Sequence, residues 1–164
     1  MNIKLVVTGK TVKGFVEDGV NEYVKRLKHY VNFSVEVIAD VKNAKNLSPS
    51  QLKETECNNL LAFLEKNQLT ARNSSLVVLL DEHGQEFKST EFASYLQKQM
   101  NGGIKNLVFV IGGAYGFSDA LKDKFKDKIS VSRMTFSHQM IRLLFTEQLY
   151  RGFTIIKGEP YHNE

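Results

Sequence analysis

Several features are scarce in this sequence, and each scarcity removes a class of protein. The 164 residues include one cysteine, Cys57, so neither a disulfide framework nor a cysteine-built zinc site can form within one chain. A reducing, cytoplasmic setting is the corresponding expectation. No apolar run approaches the roughly 18 residues of a membrane-spanning helix, so no membrane insertion is predicted. Met1 to Thr8 is apolar but lacks the charged n-region, long h-region and cleavage site of a signal, and reads as a strand. Nor is there a Lys/Arg-rich arm: a formal charge of +4 and a pI near 9.1 permit a polyanionic partner without indicating one. Repeats and low-complexity segments are missing, and the one linker-like stretch, Asp40 to Leu47, is too short to separate domains. A single domain over 1–164 is expected, because a chain of this size buries about 70% of its unfolded surface around one core.

What the sequence does contain is an alternation of strand-like and helix-like pattern, the signature of an α/β protein with a largely parallel sheet. Strands are predicted at Ile3–Thr8, Phe33–Ala39, Leu76–Asp81, Leu107–Ile111 and Ile129–Ser132. Between the first two, Val16, Val20, Tyr23, Val24, Leu27, Tyr30 and Val31 recur at helical spacing. Ser48-Pro49-Ser50-Gln51 combines a serine cap, a proline at the first helical position and a capping-box glutamine, so a helix starts there. A third helix should run from Ser89 to the Asn101-Gly102-Gly103 stop, a short one from the Ser118 cap to Asp127, and a last one from about His138 to Phe153. That last segment is apolar around most of its circumference, which means deep burial or a shared surface with a second copy, the latter being the simpler expectation.

In open α/β sheets ligands bind beyond the carboxyl ends of the strands. Three strands end in unusual sequence: Leu80-Asp81-Glu82-His83-Gly84, Gly112-Gly113-Ala114-Tyr115-Gly116, and Ser132-Arg133-Met134-Thr135-Phe136-Ser137-His138. Gly112 and Gly113 either let backbone approach a ligand closely or simply make a turn. Two nucleotide motifs fail. Gly9-Lys10-Thr11 resembles the end of a P-loop, but Lys4 stands where that loop needs glycine, and the paired glycines do not make a dinucleotide fingerprint. His138 and Arg142, four residues apart, are predicted to share one helix face, where a histidine can accept a proton and an arginine can hold a phosphate or carbonyl. The plain alternative for His138 is a first-turn histidine satisfied by nearby backbone. Glu147 and Arg151 have the same spacing and read as a surface pair.

Three stretches carry a family likeness: Phe109-Val110-Ile111-Gly112-Gly113; Met134-Thr135-Phe136-Ser137-His138-Gln139-Met140-Ile141-Arg142; and Glu147-Gln148-Leu149-Tyr150-Arg151 followed by Tyr161-His162. With them the chain resembles the RlmH group of the SPOUT methyltransferases along its whole length. The resemblance implies a parallel α/β fold with a carboxyl-terminal trefoil knot, a homodimer, and S-adenosyl-L-methionine (SAM) as methyl donor with no metal. It maps the donor site onto Leu80, Gly113, Ser132, Arg133, Met134, Thr135, Phe136 and Ser137. It implies transfer to N3 of pseudouridine 1915 in the 23S RNA of the ribosome, with Arg151, Tyr161 and His162 as RNA-contact candidates. On that reading His138 takes the proton and Arg142 steadies negative charge on the base. Ser137, Gln85 and Asn163 depart from the residues the group most often carries. Two other functions stay open: a SPOUT enzyme acting on tRNA, and a ribosome-binding factor that has lost catalysis.

Overall fold

The computed structural model describes residues 1–70 and 74–162. Five strands and five α-helices follow one another as β1 (Asn2–Thr8), α1 (Phe15–Leu27), β2 (Asn32–Ile38), α2 (Pro49–Lys66), β3 (Ser75–Glu86), α3 (Ser89–Asn101), β4 (Asn106–Ile111), α4 (Asp119–Lys124), β5 (Lys128–Ser130) and α5 (Met140–Lys157). The strands form one sheet in the order β2-β1-β4-β3-β5, with every pairing parallel. The expected α/β class with a parallel sheet is what the chain adopts.

Period-two alternation in the central strands divides the core into two layers. Ile3, Leu5, Val7, Leu107, Phe109 and Ile111 point to one face, where Leu27, Phe92, Leu96, Phe145, Leu149 and Phe153 of α1, α3 and α5 meet them. Val6, Val108, Val110, Val77 and Leu79 point to the other, against Cys57, Leu60 and Leu64 of α2 and Leu121 of α4. Phe109 is fully buried, with its ring 4.7 Å from that of Phe145. Burying such a side chain contributes about 2–3 kcal/mol.

Helix α5 lies between α1 and α3, and two glycines set the approach. A Cβ at Gly19 would fall 2.7 Å from Leu143, and one at Gly152 would fall 2.9 Å from Leu96. Phe145, Leu149 and Phe153 of α5 are covered within the chain by the sheet and two neighbouring helices, while Ile141, Leu143, Leu144, Tyr150, Ile155 and Ile156 stay partly exposed.

Element starts follow local chemistry. Ser48 caps α2 in a full capping box with Gln51, its Oγ accepting from the Gln51 N–H at 3.2 Å. Ser118 likewise caps α4, which stops at Lys124 rather than Asp127. The largest difference from expectation is β3, which continues to Glu86. Ile129 of β5 pairs with both Leu80 and Gln85, so residues 81–84 form a bulge within the strand. Gly84 lies against that backbone so closely that a Cβ there would be 2.5 Å from the Ile129 nitrogen.

Candidate active site

All five strands point their carboxyl ends the same way, and residues 80–82 of β3 with the segments after β4 and β5 border a cavity of about 760 Å³. That is a usual size for a nucleotide-sized ligand. One wall is backbone, Gly112, Gly113 and Gly116; a second is the segment Ser132, Met134, Thr135, Phe136 and Ser137; Leu80 and Ile141 line the cavity as well. Seven of the eight expected donor residues thus line a single cavity. Arg133 does not: its side chain is 86% exposed and forms an ion pair with Glu86 at 2.8 Å.

His138 lines the same cavity. Burial, helped by the nearby Arg142 charge and opposed by Asp40, holds its imidazole below the ordinary histidine value, so it is neutral and able to accept a proton at neutral pH. Arg142 corrects the expectation that it would face the same substrate. It is 1% exposed, does not line the cavity, and donates to backbone oxygens of Thr8 (2.6 Å), Gly9 (3.0 Å) and His138 (3.2 Å) and to the Thr11 hydroxyl (3.1 Å). The physical reason is that α5 begins at Met140, so His138 precedes the helix in a turn and the rule for residues four apart on one face does not apply. Gln139 adds two bonds to the same loop, donating to the Lys10 carbonyl and accepting from the Val12 N–H.

Charge enters the cavity at Asp81, in a segment the sequence had marked, and at Lys122 and Lys53, which no motif marks. Asp81, 6% exposed at its side chain, pairs with Lys122 at 2.8 Å; burial raises its pKa, but the Lys122 hydrogen bond and the His83 N–H outweigh that and hold it below the usual carboxylate range. Lys53 of α2 reaches the cavity, and Glu56, one turn on, presses its carboxylate against Gly113. Burial, and next the charge of Asp40, raise the pKa of Glu56. No sequence signal could have found Glu56, because nothing local tells α2 to dock at the end of β4.

The carboxyl-terminal residues form a separate group. Tyr161 donates to Glu147 at 3.1 Å and lies 3.3 Å from the Tyr23 hydroxyl, while Arg151 bonds Glu147 at 2.6 Å, lies over the Tyr161 ring and meets His162 at 3.3 Å. Glu147 and Arg151 are thus no free surface pair, and Tyr161 and His162 are docked on α5. None of Arg151, Tyr161 and His162 lines the cavity. Asn163 lies outside the described residues.

A parallel sheet whose strand ends enclose a glycine-walled cavity defines an α/β protein that binds a nucleotide-like ligand. The chain belongs to the SPOUT methyltransferases: the family described as "Predicted SPOUT methyltransferase" matches residues 1–162. It is 53% identical over all 164 residues to the Ribosomal RNA large subunit methyltransferase H of Flavobacterium psychrophilum, and 52% identical to that of Porphyromonas gingivalis, with 100% of both chains covered in each case. A probable methylase family protein from Haemophilus influenzae shares the fold at TM-score 0.53 and 12% identity, covering 99% of this chain and 71% of its own. The site fits the donor of such an enzyme in two respects. Gly112, Gly113 and Gly116 give the cavity a wall without side chains, and behind Gly113 the buried Oε2 of Glu56 has no hydrogen-bond partner among the described residues.

Proposed function

We propose that this chain transfers a methyl group to N3 of pseudouridine 1915 in the 23S RNA of the ribosome. It is a SAM-dependent methyltransferase of large-subunit ribosomal RNA; the proposal adds the atom and the position. The observation that carries it is the place of His138 in the wall of the donor cavity, where burial holds its pKa below the ordinary histidine value. N3 of pseudouridine lies between two carbonyls and carries a proton, which must leave before or during attack. When bound, SAM supplies an electrophilic methyl group on a sulfonium sulfur. His138 accepts the N3 proton at its free ring nitrogen, a step that calls for no metal. Arg142 acts through His138 by holding the His138 carbonyl and the loop from Thr8 to Thr11, as a positioning residue.

The working unit on this reading is a homodimer in the cytoplasm. Arg151, Tyr161 and His162 suit RNA contact by charge and stacking, yet they lie apart from the cavity of their own chain. Phe15 and Met134 are 72% and 74% exposed, apolar surface that a second copy would cover while bringing its tail to the cavity. The carboxyl-terminal trefoil knot of the family belongs to the same proposal.

The test is incubation of purified protein with radiolabelled SAM and ribosomes from a strain lacking the family enzyme, with the label mapped by nuclease digestion and mass spectrometry. Label on pseudouridine 1915 is the expected result. Label on tRNA instead, or SAM binding with no methyl incorporated, overturns the assignment in favour of a tRNA enzyme or a non-catalytic ribosome-binding factor.

A further inference from the structure

We propose that α2 reads the amino-acid end of the methyl donor, Lys53 holding its carboxylate and Glu56 its ammonium. This rests on the donor site described above and names the residues that receive the charged arm of its ligand. Lys53 lines the cavity and has no ion-pair partner among the described residues. Glu56 follows three residues later on the same helix, so the two charges lie about one turn apart and on one side. An α-amino acid carries a carboxylate and an ammonium on one carbon, the complementary pair.

Gly113 strengthens the assignment. Its φ is not in the left-handed region, so backbone conformation does not demand glycine. Space does: all three atoms nearest to a Cβ built there belong to the Glu56 carboxylate. The missing side chain thus lets an acid that does not itself line the cavity press against the back of its wall, one backbone thickness from the ligand. Its Oε2 is buried without a hydrogen-bond partner, an arrangement that costs stability unless something donates to it in the working state. Oxygen acceptors cannot take that part, and the neighbouring Asp40 adds like charge rather than relief. A ligand ammonium satisfies the lone pair and neutralises the charge together.

Calorimetric binding of three ligands to the full-length protein tests this: SAM, S-adenosylhomocysteine, and 5′-methylthioadenosine, which keeps the nucleoside and lacks the amino-acid arm. Glu56→Gln is expected to weaken the first two by about tenfold or more, the value of one charge-assisted hydrogen bond, and to leave the third within about twofold. Lys53→Met should give the same pattern. Unchanged affinity for SAM in Glu56→Gln overturns the proposal, and so does an equal loss for all three ligands, which marks a structural role. Failure of the unsubstituted protein to bind SAM would instead remove the donor site on which the proposal rests.

Discussion

Arg142→Ala is the perturbation with the most to say about this fold, because one side chain joins the start of α5 to the loop after β1. Four acceptors depend on it, three of them backbone carbonyls. Removal leaves Thr8 and Gly9 carbonyls unsatisfied in a region closed to water, where each orphaned group costs about 1–3 kcal/mol. Deleting a fully buried guanidinium also leaves a void. These contributions share acceptors and do not add, and burial already opposes the charge, whose pKa is lowered chiefly by desolvation. A net loss of about 3 kcal/mol follows, equivalent to roughly 6–12 °C in Tm for a chain of this length. Urea denaturation followed by circular dichroism at fixed protein concentration measures it. Arg142→Lys, whose single ammonium reaches fewer acceptors, should recover part of the loss. In the lysine variant, methyl transfer should fall more than SAM affinity, because His138 loses its anchor while the glycine wall does not. Stability of the alanine variant within about 0.5 kcal/mol of the unsubstituted protein would refute the clamp.

His138→Ala should lower methyl transfer with SAM affinity retained, and equal losses in both would end the assignment of a base. In the unsubstituted protein, log kcat should rise with pH and level off below the ordinary histidine value, because the lowered pKa keeps the imidazole neutral to more acidic pH. Glu56→Gln should stabilise the free protein at neutral pH. A carboxyl group whose folded pKa is raised favours folding below its ordinary value of 4.5 and loses that contribution as pH rises, so the variant's advantage should appear above that pH in thermal melts and vanish in acid. Gly84→Ala sets a Cβ against the backbone of Lys128 and Ile129, which cannot yield as a side-chain tip would, and should leave little soluble, folded protein in an expression assay.

How much of this was legible in the sequence varied with how local the cause is. The central strand β4 announced itself because Leu107-Val108-Phe109-Val110-Ile111 is apolar on both faces, and the glycines after it marked where the strand and its side chains stop. The start of α2 was legible because a capping box is a four-residue device. β3 was not read past Asp81, since Glu82-His83-Gly84-Gln85-Glu86 carries loop chemistry; its second half is strand only because β5 lies against it, a contact between residues more than 40 apart. Spacing placed His138 and Arg142 together, but a helix boundary two residues later turned one to the cavity and the other into the core.

The same boundary shows how the site is built from distant pieces. Gly9 at the end of β1 and Gly113 at the end of β4 have their absent side chains replaced by carboxylates, Asp40 in one case and Glu56 in the other. Gly9 requires glycine for its φ of 73° as well, whereas Gly113 requires it for space alone. Arg142 then binds the Gly9 carbonyl and Gln139 the next residue, so the β1 loop, Asp40 beside it and His138 are fixed relative to one another. A change at any of these positions should therefore reach the imidazole without touching it. Asp40→Asn makes the point separable: it removes the charge that raises the His138 pKa while leaving the clamp intact, so the pH profile should shift further toward acid with the melting temperature little changed.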